Sequence, residues 1–186
     1  MRTARQKLVM GFTLIMLLVS TGCAQGYEKP IGKWYFPIRY NVADNCPEFL
    51  HVEAAKGKEM SPVDYSMAED DRNFQIFCSD HIPPNWGYLQ NHGINGAAHT
   101  NTIGNLVLSC DMWISPRRLF YTTEHNVEMV KSTFWHEFGH CMGMGHSSLT
   151  DSVMAPSSGR RPKSWSQRDR DELNRIYGLP LTTFRR

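Results

Sequence analysis

Alternation of apolar and polar residues predicts strands in the first two thirds of the chain. Residues 34–42 follow this period of two, and Pro37 limits the dependable strand to residues 38–42, because proline lacks the amide hydrogen that a sheet uses. The same alternation recurs in three more segments, at residues 73–79, 94–100 and 105–114, and it is weakest in 94–100. The last segment places on one face Leu106, Leu108, Cys110, Met112 and Ile114.

A repeat of three or four residues predicts two helices later in the chain. Thr122 or Thr123 can cap the first helix. Its apolar stripe consists of Val127, Val130, Phe134, Phe138 and Cys141. The second helix starts near Ser166, where Asp169 completes a capping box, and Gly178 ends it.

Residues 43–72 have a less regular pattern, in which two helix starts compete. One start lies near Glu48. The other lies at Ser61, which is followed by Pro62 at the first helical position and by Asp64 at the third. The sequence does not choose between them.

Length and element order predict one α+β domain. The 186 residues suffice for a single domain with a core but hardly for two. Strands that precede the helices favour an α+β layered architecture. Ahead of it, Arg2, Arg5 and Lys7 precede an apolar run at residues 8–19, which is too short for the roughly 20 residues of a membrane span and is typical of an export signal. The predicted division is a signal peptide at 1–22, a tether at 23–33 and the domain at 34–186.

Residues 20–23, STGC, resemble the lipobox of bacterial lipoproteins. The resemblance implies that Cys23 carries a lipid and becomes the mature N-terminus. The protein is then exported and anchored to a membrane of the bacterial cell envelope. Ser20 stands where the lipobox usually has an aliphatic residue, and the alternative is cleavage nearby followed by free secretion.

The cysteine count fits an exported protein. Lipidation of Cys23, one of five cysteines, leaves an even number that can form disulfides in an oxidising compartment. The remaining four are Cys46, Cys78, Cys110 and Cys141. They allow three pairings, and free buried thiols are the alternative.

Removal of the signal peptide changes the charge balance. Residues 1–22 contain three cations and no acid, so their loss leaves 17 Lys and Arg against 18 Asp and Glu. A chain without a basic excess has no electrostatic footprint for nucleic acid. We predict no nucleic-acid partner.

The stretch HEFGHCMGMGH, residues 136–146, has the spacing of a metal site. His136 and His140 are four residues apart on the predicted helix and off its apolar stripe, so both imidazoles can reach one ion. Gly143 can end the helix and return His146 to that ion. Three neutral nitrogens leave the fourth tetrahedral position open to water, and Glu137 is placed to take a proton from it.

This motif resembles that of the metzincin zinc endopeptidases, and the chain is most similar to the matrixins among them. The segment SVMAP supplies Met154 for the methionine turn of metzincins, and Pro156 stands where astacin-like members have a tyrosine. The segments GAAHT, LVLSCDMWIS and WSQRDRDELNRIYG resemble the third strand, the fourth strand and the closing helix of matrixins. The resemblance implies a metzincin-like zincin fold with a twisted mixed β-sheet, an active-site helix, a Met-turn and a C-terminal helix.

The resemblance also implies a zinc-dependent endopeptidase with one catalytic Zn²⁺, held by the three histidines, and Glu137 as general base. A protein or peptide substrate is expected to lie extended along residues 106–114, on a rim that includes Leu106 and Leu108. Pro156 starts a loop expected to form the wall of the pocket for the residue after the scissile bond. Calcium is possible but not supported, since the calcium motifs of animal matrixins are not recognisable.

Two other functions stay open. One is a zinc-holding module on the cell surface that binds a partner without turnover. The other is the hydrolysis of peptide bridges in the cell wall. Glu137 and the open fourth position favour turnover over the binding module.

Overall fold

The computed structural model describes residues 26–84, 86, 95–115, 124–156, 162 and 164–181, and for residues 124 and 125 the backbone alone. The elements in these ranges are β1 (Ile38–Val42), α1 (Glu48–Met60), β2 (Tyr65–Met67), β3 (Phe74–Cys78), β4 (Gly96–Ile103), β5 (Leu106–Ile114), α2 (Glu124–Cys141) and α3 (Gln167–Tyr177). The predicted signal peptide, Cys23 and the threonines proposed to cap α2 lie outside the described residues.

The described strands form one mixed sheet in the order β2-β1-β3-β5-β4. The first four are parallel neighbours, with Tyr40 opposite Phe74 and Phe74 opposite Cys110. β4 runs antiparallel to β5 and lies at the edge. The predicted mixed sheet is confirmed, and β1, β3, β4 and β5 are the four strands that alternation predicted.

The core lies between one face of the sheet and the helices α1 and α2. Ile76 of β3 and Met112 of β5 are fully buried, and so are Phe134 and Phe138 from the apolar stripe of α2. The ring centroids of Phe74 and Phe138 lie 5.9 Å apart. Because the stripe packs on the sheet, the other side of α2 is left for polar side chains.

Of the two competing helix starts, the structure has the one at Glu48. α1 begins there, and Ser61 ends it with an N–H that donates to the Gly57 carbonyl at 2.8 Å. The helix predicted from Ser61 is therefore wrong. The residues that follow form β2, because Tyr65 is buried and its ring stacks on that of Tyr40 at a centroid distance of 4.4 Å. Tertiary packing outweighs the local capping signal.

A β-bulge changes the predicted face of β5. The pairing of β4 with β5 shifts between Asn101 and Thr102, which leaves one extra residue on β5. One extra residue reverses which side chains face the core. Val107 is therefore fully buried, whereas Leu106 and Leu108 are only partly buried. The prediction that these two leucines share one face with Cys110, Met112 and Ile114 is therefore wrong.

The four described cysteines form two disulfides, so the alternative of free thiols is wrong. Cys46 pairs with Cys78, and Cys110 pairs with Cys141. The first disulfide joins the segment before α1 to the end of β3. The second joins β5 to the last residue of α2, which covalently links the sheet to the helix that carries the first two histidines.

The closing helix agrees with its sequence signals at both ends. Ser166 and Asp169 form the capping box at the start of α3. Gly178 ends the helix in the left-handed conformation, with φ of +69°. In the described part of the chain no helix combines the length and apolar content needed to cross a membrane.

Residues 26–33 do not form a free tether. They lie along the loop that follows α2, and we call them the N-terminal strap. The N–H of Glu28 donates to the His146 carbonyl at 2.8 Å, and the N–H of Ile31 donates to the Gly143 carbonyl at 2.9 Å. The strap is therefore hydrogen-bonded to the domain that it was expected to precede.

Candidate metal centre

Two of the predicted ligands lie next to each other on α2. The Nε2 atoms of His136 and His140 are 3.2 Å apart, and the ring centroids are 4.7 Å apart. His136 is buried and His140 is partly buried. The spacing of four residues places both rings on one side of the helix, as predicted.

Gly143 turns the chain back after α2, as the sequence predicted. Its φ of +94° lies in the region that favours glycine, and its N–H donates to the His140 carbonyl at 2.9 Å. The ring of His146 then lies 4.7 Å from that of His140 and 5.3 Å from that of His136, measured between centroids. The three ligand atoms lie within 4.8 Å of one another, and the described residues contain no other such group of three.

The ring orientations on α2 fit a zinc ion. His136 Nδ1 lies 2.8 Å from the Val153 carbonyl oxygen, and His140 Nδ1 lies 2.9 Å from the Met144 carbonyl oxygen. A carbonyl only accepts, so each Nδ1 carries the proton and each Nε2 presents a lone pair. Two lone pairs facing each other at 3.2 Å repel unless a cation lies between them. Tetrahedral zinc with Zn–N bonds of about 2.0–2.1 Å separates two ligand nitrogens by roughly 3.3 Å.

Met154 lies below the ligands, where the resemblance to metzincins places a methionine turn. The side chain is fully buried. It packs so closely against Gly139 that a Cβ there would overlap its sulfur. Val153, one residue earlier, supplies the carbonyl that holds His136, and Ser147, the residue after the third ligand, donates its N–H to the Met154 carbonyl at 2.9 Å. One turn therefore supports two of the three ligands.

Asp169 holds this turn, a role that the sequence revealed only in part. It is fully buried at the start of α3. Its carboxylate accepts hydrogen bonds from the Val153 amide at 3.2 Å, from the Ser152 hydroxyl, and from the Tyr27 hydroxyl at 2.8 Å. The capping box with Ser166 identified the helix start. No local pattern could indicate that the same carboxylate reaches the methionine turn and the strap.

Glu137 follows the first ligand and lies beneath the edge of the sheet. Its side chain is buried. A Cβ added to Gly96, the first residue of β4, would lie 3.2 Å from the Glu137 Cγ and 2.7 Å from the Thr133 Cγ2. β4 therefore begins directly over this glutamate, and glycine is needed there for the close approach.

The predicted substrate rim, residues 106–114, lies on an inner strand of the described sheet. β5 lies between β3 and β4 in the sheet. Leu106 is paired with Ile103 on one side and bridged to Lys33 on the other. Leu108 belongs to the same inner strand, and a strand flanked on both sides cannot accept an added one. The edge next to Glu137 belongs to β4, which had the weakest of the strand patterns.

Pro156 is exposed just after the methionine turn. Residues 157–161 and 163, which belong to the predicted pocket wall, lie outside the described residues, so the role of this loop stays a prediction. The far end of the loop returns to α2, where the indole N–H of Trp165 donates to the Trp135 carbonyl at 3.1 Å.

The mixed sheet, the helix with two histidines and the third histidine after a glycine turn together define a metallopeptidase of the metzincin type. Residues 60–178, which contain all of this site except the strap, match the matrixin family. The chain belongs to that family and is a zinc metallopeptidase. No curated protein matches it.

Solved structures of archaemetzincins are similar in fold. The protein from Methanopyrus kandleri aligns with a TM-score of 0.51 and 14% identity over 76% of this chain and 96% of its own. The protein from Archaeoglobus fulgidus, solved in complex with malonate, aligns with a TM-score of 0.46 and 14% identity over 74% of this chain and 99% of its own. At this identity the first alignment supports the fold alone.

Proposed function

We propose that the protein is an endopeptidase in which Glu137 acts as the general base. The observation that carries the proposal is the position of this buried glutamate, between the first metal ligand on α2 and the start of the edge strand β4. A carboxylate there lies beside the metal centre and beside the strand along which a polypeptide can dock.

The histidines would hold one zinc ion through three Nε2 atoms and leave the fourth tetrahedral position open. When bound there, zinc supplies a Lewis acid that polarises the scissile carbonyl and makes water acidic enough to attack at neutral pH. Glu137 accepts the proton of the attacking water and then delivers it to the departing amine nitrogen. The Val153 and Met144 carbonyls keep two of the rings in the tautomer that this arrangement needs.

A polypeptide substrate would dock in extended form on β4. This strand lies at the edge of the described sheet, and its first residue, Gly96, contacts Glu137. Strand addition uses backbone hydrogen bonds, so it holds a chain of any sequence next to the catalytic carboxylate. Side-chain preference would then come from the loop that starts at Pro156.

We further propose that the enzyme works at a membrane surface. Cys23, the proposed lipidation site, precedes the strap by only two residues in the sequence. A lipid at that position would hold the metal centre close to the headgroups and restrict the enzyme to substrates of the cell envelope. Membrane fractionation of the wild type and of Cys23→Ala tests this, and equal amounts of both in the soluble fraction would contradict it.

A peptide library tests the catalytic proposal. We expect cleavage inside the peptides, inhibition by a hydroxamate chelator, and a decrease of kcat/KM by at least about 100-fold in Glu137→Gln with zinc content unchanged. Glu128→Gln on the same helix is the control and should retain activity. Full activity of Glu137→Gln would refute its role as base.

The same proteins distinguish the remaining alternatives. A wild type that holds zinc and cleaves no peptide, but lowers the turbidity of a cell-wall suspension, would be a cell-wall peptide hydrolase. One that holds zinc without cleaving either substrate would be the binding module. Both outcomes contradict the endopeptidase proposal.

A further inference from the structure

We infer that Glu28 in the N-terminal strap is a positioning residue for His146, so that the strap completes the metal centre. The inference rests on the zinc site of the proposed function and concerns the binding of the ion rather than the reaction. The strap lies outside residues 60–178, the part of the chain that matches the matrixin family.

The strap follows the third-ligand segment along its backbone. The Ser148 N–H donates to the Gly26 carbonyl at 2.7 Å, and the Glu28 N–H donates to the His146 carbonyl at 2.8 Å. Between these two bonds Tyr27 forms a β-bridge with Ser147. The backbone from the carbonyl of the third ligand to Ser148 is therefore held by residues more than one hundred positions earlier.

Two glycines of the metal motif fit closely against the strap. A Cβ added to Gly143 would overlap the carbonyl oxygen of Gly32. A Cβ added to Gly145 would lie 2.9 Å from the Glu28 Cβ and 2.9 Å from the Lys29 carbonyl oxygen, closer than real contacts of this kind. The loop that presents His146 therefore leaves no space for side chains at these positions, because the strap occupies it.

The side chain of Glu28 gives His146 what the other two histidines also have, an oxygen that faces Nδ1. His136 and His140 each face a backbone carbonyl with Nδ1. His146 instead faces the Glu28 carboxylate, with 3.6 Å between its Nδ1 and Oε2. All three rings thus have an oxygen acceptor on the Nδ1 side, which leaves Nε2 for the ion.

The distance of 3.6 Å is longer than a hydrogen bond, so at this separation the carboxylate acts through its charge. The Glu28 side chain is 69% exposed, so neighbouring side chains leave it room to move. A carboxylate on the far nitrogen fixes the ring orientation and makes the imidazole a stronger donor to the metal. Glu28 acts through His146 and does not touch the ion.

Zinc affinity measured by competition with a chromophoric chelator tests the inference. We expect Glu28→Ala to weaken zinc binding about tenfold, since loss of a group that orients a metal ligand typically costs about 10–100-fold. Glu28→Gln keeps an acceptor without the charge and should give an intermediate loss. Glu59→Ala, at an exposed glutamate near the end of α1, is the control and should bind zinc like the wild type.

The stability of the metal-free protein distinguishes a role of Glu28 in positioning His146 from a role in folding. Because the Glu28 side chain is largely exposed, the melting temperature of the metal-free protein should be the same for Glu28→Ala and wild type. Zinc affinity of Glu28→Ala within twofold of wild type would overturn the inference. A loss of affinity accompanied by an equal destabilisation of the metal-free protein would also overturn it.

Failure of the inference and failure of the proposed function give different results. Weaker zinc binding by Glu28→Ala in a protein that cleaves no peptide would refute the peptidase proposal and leave the positioning role intact. Efficient cleavage by the wild type together with unchanged zinc affinity of Glu28→Ala would refute the positioning role alone.

Discussion

The sulfur of Met154 packs against Gly139, the residue of α2 just before the second metal ligand. A Cβ at Gly139 would overlap that sulfur and lie 3.0 Å from the Met154 Cε. The methionine turn can approach the helix only because position 139 has no side chain. The contact matters for the metal, since Val153 in the same turn orients His136.

Replacement of Gly139 by alanine should therefore displace the methionine turn. We expect Gly139→Ala to lower the free energy of unfolding by about 1–3 kcal/mol, the usual cost of overpacking, and to weaken zinc binding. Denaturant unfolding and zinc competition measure the two effects. In a Met154→Ala background the cost should be smaller, because the truncated side chain leaves space. Equal costs in both backgrounds would show that the contact with Met154 is not the cause.

Removal of the charge on Asp169 should destabilise the methionine turn, which its carboxylate contacts. Asp169→Asn keeps the shape but replaces one of the two acceptor oxygens with a donating NH2 group. The side chain can then no longer accept both from the Val153 amide, on Oδ2, and from the Ser152 and Tyr27 hydroxyls, on Oδ1. We expect a loss of about 1.5–3 kcal/mol in the free energy of unfolding, the range for a hydrogen bond to a charged group. Asp171→Asn, two residues further along α3, is the control and should change stability little. Equal effects of the two substitutions would contradict the role of Asp169.

The two disulfides offer a matched comparison, because they span 32 and 31 residues. Loops of similar length should stabilise the chain similarly, so replacing either pair with alanines should cost about 2–4 kcal/mol. Only Cys110–Cys141 ends next to a ligand, His140. We expect loss of this disulfide to weaken zinc binding and loss of Cys46–Cys78 to leave it unchanged, when both variants are measured in their folded states. Equal zinc affinities would show that the cross-link to α2 does not position the ligand.

Stability should decrease at alkaline pH because of Tyr27, which is buried, and Tyr177, which is partly buried. Burial raises the pKa of Tyr27 and of Tyr177 above the ordinary value of about 10. Above that pH the unfolded chain ionises both groups while the folded chain keeps them protonated, so the free energy of unfolding decreases as pH rises. Denaturant unfolding between pH 9 and pH 11, in roughly half-unit steps, measures the slope. Tyr27→Phe and Tyr177→Phe should each flatten it, and an unchanged slope in both would contradict this assignment.

Features with a local signal were predicted well from the sequence. Alternation together with Pro37 located β1 at residues 38–42, and the capping box of Ser166 located the start of α3. The four-residue spacing of His136 and His140 is itself a helical contact, so it predicted the metal pair directly.

Features that depend on distant parts of the chain were missed for physical reasons. The strap has no periodicity, and its hydrogen bonds reach residues such as His146, far along the sequence. The position of β4 at the sheet edge follows from pairing order, which strand patterns do not encode. The bulge that buries Val107 is visible only once β4 and β5 are aligned. The helix predicted at Ser61 had a valid capping pattern, which the packing of Tyr65 overrode.

Metal analysis of the purified protein tests the centre most directly. Elemental analysis should find about one zinc per chain in the wild type, the stoichiometry of a three-histidine catalytic site. The zinc should be lost in a variant with His136, His140 and His146 all replaced by alanine. A wild type without any transition metal, or a triple variant that keeps its zinc, would mean that these three imidazoles do not form the site.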